Sequence, residues 1–199
     1  MPIQQGLDSG QTLLQMQRPF IGNLRGSELF EVWRKNTKVL GQSYMSADPK
    51  KRVKWAGPSM SAVSSITARQ METWAHGQEI FDALGERRLE SDRIKNICHL
   101  GVVTYQWTFS VRNMALPEPT PFVRLVSPSG KLWEWNDSSS RSLVKGSAVE
   151  FAQVVTQVRN IEDTDLEVDG SSAKSWMAFA QCFAGKPEMP PKKGSRYRV

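Results

Sequence analysis

The sequence predicts an α+β protein, in which a helical N-terminal half is joined to a small α+β C-terminal half. Apolar residues recur every three or four positions between residues 27 and 109, which is the spacing of amphipathic helices. Beyond the proline-rich connection at residues 117–119, the period changes to the alternation typical of strands. The 199 residues are 39% hydrophobic, so they can bury a sizeable core in one or two domains.

Three helices are predicted before the proline-rich connection. The first covers residues 27–44, and Ser27 is placed to cap its first turn. The second covers residues 61–84, and Gly85 follows it as a C-terminal cap. The third covers residues 91–109 and carries one apolar stripe along its length.

The elements predicted after the connection are a β-hairpin, a helix opened by a serine, a short strand and a last helix. They lie at residues 122–126 with 132–135, 147–158, 166–168 and 171–183. We therefore divide the chain into a polar segment that is disordered and lacks a core element, a helical region, an α+β domain and a basic, proline-rich, unstructured tail. These four parts are residues 1–19, 20–116, 117–185 and 186–199.

The charge pattern argues against nucleic acid as a partner, although the formal net charge is +6. The Lys and Arg residues gather at 50–54 and in the tail, and neither cluster interleaves aromatic residues as a base-stacking surface does. No apolar run is long enough for a membrane span, and the first ten residues lack a secretory signal. We expect a cytoplasmic protein that does not contact a membrane.

Only two cysteines are present, Cys98 and Cys182, and each lies within an apolar helical pattern. This pattern predicts buried, reduced thiols rather than a disulfide or a thiolate metal site. A bound zinc ion would therefore need nitrogen and oxygen ligands.

The candidate metal ligands are Glu72 and His76, which lie four residues apart in the second predicted helix. At 3.6 residues per turn they share one face, where a carboxylate and an imidazole can touch the same divalent ion, most readily zinc. On spacing alone, an ordinary pair on the helix surface is the simpler interpretation.

Five stretches of sequence resemble one known family. They are Trp55-x-Gly57-Pro58-x-Met60-Ser61 with Thr67-Ala68-Arg69, the segment 71–77 (METWAHG), the segment 154–159 (VVTQVR) and the segment 180–185 (AQCFAG). They are similar to the metal-binding proteins related to mycothiol-dependent maleylpyruvate isomerase, within the DinB/YfiT-like superfamily. The likeness covers roughly residues 20–185. Some relatives carry a label referring to tRNA wybutosine synthesis.

The resemblance implies a DinB-like four-helix bundle followed by a smaller C-terminal domain. It also implies a divalent metal, usually zinc, held by two histidines and a glutamate, with Glu72 and His76 matching the Glu-x-x-x-His part. The implied activity is that of a thiol-dependent isomerase or transferase, with a low-molecular-weight thiol and a small anionic substrate. Arg159 is the position that would bind the substrate carboxylate. The alternatives are an ion pair with Glu162 or Asp163 and a solvated side chain.

One departure from the family pattern concerns the third ligand. The family's other histidine precedes the Glu-x-x-x-His motif, and this chain has no histidine before His76. The sequence therefore resembles an N-terminally truncated member with an incomplete bundle, and we predict weak metal binding. His99 lies beside the apolar stripe of the next helix, and we do not include it in the site.

Two alternative functions remain open. The chain could be a non-catalytic remnant or interaction module that forms a homodimer through core-facing residues such as Trp33 and Leu40. It could also bind nucleic acid through residues 50–54 in a role related to tRNA modification, in which case its binding would depend strongly on salt.

Overall fold

The structure is a computed structural model and describes residues 9–53 and 59–196. It confirms the α+β class and the helical N-terminal region. The helices are α1 (Leu13–Ile21), α2 (Gly26–Met45), α3 (Ala62–Leu84), α4 (Lys95–Val103), α5 (Tyr105–Ser110), α6 (Ala148–Val155) and α7 (Ser171–Met177). The strands are β1 (Arg52–Val53), β2 (Met60–Ser61), β3 (Phe122–Val126), β4 (Leu132–Trp135), β5 (Leu143–Ser147) and β6 (Glu167–Asp169).

The chain divides into two compact units, Met1–Ile66 and Thr67–Val199. The division lies inside α3, whereas the sequence placed a boundary after residue 116. Some predicted features lie outside the described residues, namely the start of the N-terminal segment, Lys54 of the basic cluster, the motif residues Trp55, Gly57 and Pro58, and Arg198 of the tail. Within the described ranges, none of the helices combines the length and apolar character that crossing a bilayer requires.

In the first unit, the predicted helix at residues 27–44 is confirmed as α2. It begins at Gly26, and no side chain caps its first turn, so the expected cap by Ser27 is not formed. The N-terminal segment differs from the prediction, because a capping box between Thr12 and Gln15 starts the helix α1. The strands β1 and β2 pair in antiparallel fashion, with Arg52 opposite Ser61.

In the second unit, a four-stranded sheet has the strand order β4-β3-β5-β6. The predicted hairpin is confirmed, with Leu125 of β3 opposite Trp133 of β4. The sequence analysis missed β5, which runs parallel to β3 and antiparallel to β6. Ser147 ends β5 and caps α6 by accepting a hydrogen bond from the backbone N–H of Val149, as predicted.

A single hydrophobic core joins residues from α3 to the segment after α7. Its fully buried members include Met71 of α3, Ile97 of α4, Val123 of β3, Phe151 of α6 and Trp176 of α7. The core therefore draws on both sides of the proline-rich connection. On α3, Met71, Trp74 and Ala75 belong to this core, whereas Glu72 and His76 of the same helix are exposed.

Helix lengths differ from the prediction at three places. The last helix, predicted at residues 171–183, ends at Met177. The helix predicted at residues 91–109 is interrupted at Thr104, whose hydroxyl donates to the carbonyl of Leu100 over 2.7 Å. The helix predicted at residues 147–158 ends at Val155, and Gln157 follows with a positive φ of 58°. Arg159 is therefore in a turn and not in a helix.

Residues 186–196 differ from the unstructured tail that the sequence predicted. The backbone N–H of Gly194 donates to both carboxylate oxygens of Asp163, and Asn160 Nδ2 donates to the carbonyl of Pro191 over 2.8 Å. Gln157 Nε2 donates to the carbonyl of Glu188 over 2.9 Å. These bonds hold the segment along the second unit.

Candidate metal centre

Glu72 and His76 lie on one face of α3, one helical turn apart, as the sequence predicted. The distance from His76 Nε2 to Glu72 Oε2 is 3.6 Å. Both side chains are exposed, 73% for His76 and 53% for Glu72. The helix therefore brings the two groups together without burying them.

Glu79, which was not predicted from the sequence, is a second carboxylate next to His76. Its Oε2 atom lies 3.1 Å from His76 Nδ1, on the opposite side of the ring from Glu72. Its Oε1 atom accepts a hydrogen bond of 3.0 Å from Arg196 Nη2, so the carboxylate is held in place from the C-terminal segment. Glu79 could have been found from its spacing, because residues three apart on a helix are neighbours.

The position of Glu79 bears on which ring nitrogen of His76 carries the proton. A carboxylate next to Nδ1 stabilises the tautomer that has its hydrogen there, and Nε2 is then left with a lone pair. That lone pair and the carboxylate of Glu72 repel each other unless a proton or a metal cation lies between them. In metal sites, a carboxylate beside the second ring nitrogen commonly fixes the orientation of a histidine ligand in this way.

The two donor atoms have a separation that suits one ion. Zinc bonds to histidine nitrogen and carboxylate oxygen are about 2.0–2.2 Å long, so two ligands of a tetrahedral zinc are about 3.3 Å apart. The observed 3.6 Å needs only a small side-chain adjustment to meet this. Among the described residues, however, no group of three His, Cys, Asp or Glu side chains could hold a metal, so these residues supply two ligand positions at most.

A cleft of about 420 Å³ opens beside these residues within the second unit. Its walls come from the exposed face of α3, from the turn after α6 and from the chain beyond α7. The lining residues are Met71, Glu72, Ala75, His76, Glu79, Thr156, Gln157, Val158, Phe183, Ala184, Glu188, Met189, Pro191 and Arg196. The segment predicted to be an unstructured tail therefore supplies part of the wall.

The structure does not bring Arg159 into this cleft. The side chain of Arg159 is 6% exposed, and its Nη2 donates to Asp82 Oδ1 over 2.8 Å. Asp82 replaces the partners considered from the sequence, which were Glu162 and Asp163. Both members of the pair line a different cleft in the same unit.

The two thiols are buried and reduced, as predicted. Burial raises the pKa of Cys98 from its ordinary value of 9.0 to about 12. Burial also raises the pKa of Cys182, and the negative charge of Glu72 raises it further. Neither thiol is therefore available as a thiolate ligand or nucleophile at neutral pH.

His99, which we left out of the site, takes part in another contact. Its Nδ1 accepts a hydrogen bond of 3.2 Å from the indole N–H of Trp135, which shares a strand with Trp133. His99 is exposed and does not line the cleft of His76. This contact supports its exclusion from the candidate site.

Residues 19–81 match the family model described as the mycothiol maleylpyruvate isomerase N-terminal domain, a range that includes Glu72, His76 and Glu79. The match supports a relation to the maleylpyruvate isomerase and DinB-like superfamily.

The chain is also similar to two curated proteins of Mycobacterium tuberculosis, one from strain CDC 1551 / Oshkosh and one from strain H37Rv. Both are named as uncharacterized proteins, and each is 40% identical over 161 residues. The similarity covers 81% of this chain and 63% of each relative, so the chain spans less than two thirds of their length. No solved structure matches the chain significantly.

Proposed function

We propose that this chain belongs to a metal-dependent protein of the maleylpyruvate-isomerase-like type, and that Glu72 and His76 bind a divalent ion, most readily zinc. The observation that carries the proposal is the position of His76 between two carboxylates. Glu79 lies beside one ring nitrogen, and Glu72 lies near the other. This arrangement leaves a place for a cation between Nε2 and the Glu72 carboxylate.

The chemistry that the ion would supply is that of a Lewis acid, which lowers the pKa of a bound water or of a low-molecular-weight thiol. The residues of the chain would position the metal ligand and accommodate the substrate. Glu79 orients the imidazole, Arg196 fixes Glu79, and the cleft beside them offers space for a small substrate. An anionic group of that substrate would pair with the bound cation, because Glu72, Glu79 and Glu188 line the cleft and Arg196 is paired with Glu79. A thiol-dependent isomerase or transferase reaction suits this combination.

The proposal predicts weak zinc binding, because two protein ligands from one exposed helix face leave the remaining positions to water or to groups outside the described residues. Affinity is measured by competition with a chromophoric chelator. Glu72→Gln and His76→Ala are each expected to lower it at least about tenfold.

Matched controls are available for both substitutions. His99→Ala removes the other histidine of the chain, and Glu28→Gln removes an exposed helical glutamate of the first unit. Both controls should bind zinc like the unmodified protein. Unchanged affinity in Glu72→Gln and His76→Ala would refute the proposed site.

A second candidate function is self-association through α2. None of the 20 residues of this helix is buried. It exposes large apolar side chains at Leu29, Phe30, Val32, Trp33 and Val39, and the rings of Phe30 and Trp33 stack at 5.9 Å. A helix with this much exposed apolar surface is typical of an interaction face.

Sedimentation tests this alternative. A protein that dimerises through α2 should become monomeric in Trp33→Glu. The control Gln42→Glu, which adds the same single negative charge at an exposed polar position of α2, should leave the dimer intact. A monomer at micromolar concentration in the unmodified protein counts against self-association.

A further inference from the structure

A second cleft of the Thr67–Val199 unit has an acidic lining, although the chain as a whole has a net charge of +6. The cleft has a volume of about 880 Å³. Six carboxylates line it against three guanidinium groups. These groups are Asp82, Glu86, Glu90, Glu150, Asp163 and Asp165, with Arg87, Arg88 and Arg159.

Two of the three guanidinium groups are paired with carboxylates of the same cleft. Arg88 Nε lies 3.1 Å from Glu90 Oε1, and Arg159 Nη2 lies 2.8 Å from Asp82 Oδ1. Both oxygens of Asp163 accept from the backbone N–H of Gly194. The lining that remains after these contacts is three carboxylates and one guanidinium.

The carboxylates that remain are those of Glu86, Glu150 and Asp165, and the guanidinium is that of Arg87. Within the described part of the chain, none of these three carboxylates takes part in an ion pair, although Glu150 Oε1 accepts from the backbone N–H of Asp165 over 3.1 Å. A cleft of this composition carries a negative potential, which low-dielectric walls concentrate. It favours cations and disfavours anions.

Asp82 gives a second and independent indication of a ligand. The residue is buried, and its Oδ1 accepts from both Gln78 Nε2, at 2.9 Å, and Arg159 Nη2, at 2.8 Å. Its Oδ2 is also buried and has no hydrogen-bond partner among the described residues. Because a buried carboxylate oxygen without a donor is unfavourable, a donor entering from the cleft would stabilise it.

We propose that this cleft is a binding site for a small organic cation that carries ammonium or guanidinium groups. One N–H group of the ligand donates to Asp82, and the other positive charges lie near Glu86 and Asp165. The site is separate from the candidate metal centre, since Glu72 and His76 line the other cleft.

Spermidine is a suitable probe, because it carries several ammonium groups on a flexible chain. Isothermal titration at low salt should give saturable binding that weakens as salt is added. The double variant Glu86→Gln/Asp165→Asn should bind about tenfold more weakly, because it removes two exposed carboxylates that line the cleft. Asp82→Asn should also weaken binding, because it removes the buried charge and retains the side-chain shape.

The control double variant is Glu28→Gln/Glu31→Gln, which removes the same number of carboxylates from α2. It should bind spermidine like the unmodified protein. If circular dichroism shows that Asp82→Asn does not fold, the test rests on the double variant Glu86→Gln/Asp165→Asn, whose two substitutions are at exposed positions. An equal loss in the control, no saturable binding of spermidine, or tighter binding of succinate than of spermidine would each overturn the proposal.

Discussion

Glu79 Oε2 lies 3.1 Å from Nδ1 of His76, and the other carboxylate oxygen of Glu79, Oε1, accepts a hydrogen bond from Arg196. Glu79 is therefore a positioning residue for the proposed metal ligand His76. It lies about one helical turn after His76 in α3, whereas Glu72 lies one turn before it. Carboxylates in this position contribute to metal affinity without touching the metal.

The first prediction concerns the removal of this carboxylate. Glu79→Ala should weaken zinc binding by about 10–100-fold, because the imidazole loses the group that fixes its tautomer and orientation. Glu79→Gln should weaken it less, because the amide oxygen still accepts from Nδ1–H. Zinc affinity from chelator competition and the ¹⁵N chemical shifts of His76 report the two effects. A Glu79→Ala variant with unchanged affinity and unchanged ring shifts would show that Glu79 has no positioning role.

The second prediction concerns Arg159 and Asp82, whose side chains are both 6% exposed. Removing one partner of a buried ion pair leaves an uncompensated charge, so Arg159→Ala should lower the free energy of unfolding by about 3–5 kcal/mol. Asp82→Ala should lower it by a similar amount. The double variant should lose less than the sum of the two, because no unpaired charge is left. Urea unfolding followed by circular dichroism gives all three values.

The control for this pair is the ion pair of Arg124 and Glu134, which are about half exposed and join β3 to β4 over 2.6 Å. Because water and salt screen exposed pairs, Arg124→Ala should lower the free energy of unfolding by about 1 kcal/mol or less. If Arg159→Ala is no more destabilising than Arg124→Ala, then the buried pair does not stabilise this fold.

The sequence predicted those helices and strands whose residue pattern lies within one short stretch of the chain. The helical period located α2 and α3, the alternation located β3 and β4, and Ser147 marked the start of α6 because a capping side chain acts on its own helix. It could not locate β5, because residues 143–147 (LVKGS) alternate weakly and become a strand by pairing with β3, about 20 residues earlier. Long-range pairing of this kind leaves no periodic signal.

At the candidate metal centre, too, contacts between residues close in sequence could be predicted, and contacts between distant residues could not. Glu72 and His76 could be placed side by side from spacing alone, and Glu79 could have been added by the same rule. The contact of Arg159 with Asp82 joins residues 77 positions apart, so spacing could not predict it. The contact of Arg196 with Glu79 spans 117 positions, and proline-rich composition led the sequence analysis to expect a solvated tail there.

The third prediction concerns the pH dependence of the two thiols. Burial raises the pKa of Cys98 from 9.0 to about 12, because the thiolate is poorly solvated in the core. Below pH 9 the thiol is protonated in both the folded and the unfolded chain, and it leaves stability unchanged. Above pH 9 the unfolded chain releases the proton while the folded chain keeps it, so stability should fall as the pH rises towards 12.

Thiol reactivity checks this prediction directly. At pH 8 neither Cys98 nor Cys182 should react with Ellman's reagent in the folded protein, and both should react after unfolding in guanidinium chloride. A cysteine that reacts in the folded protein at the rate of a free thiol would contradict its burial in the core. The pH-dependent part of the stability change should become smaller in Cys98→Ala.

The fourth prediction concerns Gly101, which lies where α4 packs against α6. A Cβ atom at this position would lie 2.7 Å from Val155 Cγ2 and 3.1 Å from Phe151 Cε1. Since both neighbours are fully buried, Gly101→Ala should lower the free energy of unfolding by about 1–3 kcal/mol through overpacking.

Gly41 provides the matched comparison for Gly101, because it lies in the helix α2 and a Cβ there would meet nothing within 4 Å. Gly41→Ala should therefore leave stability unchanged or raise it by up to about 1 kcal/mol, the difference in helix propensity between the two residues. Adding Val155→Ala to Gly101→Ala should recover part of the loss, because it removes the two methyl groups nearest the new Cβ. Thermal unfolding of the three variants and of the unmodified protein measures these differences. Equal effects of the alanine substitutions at positions 41 and 101 would contradict the close packing of α4 on α6.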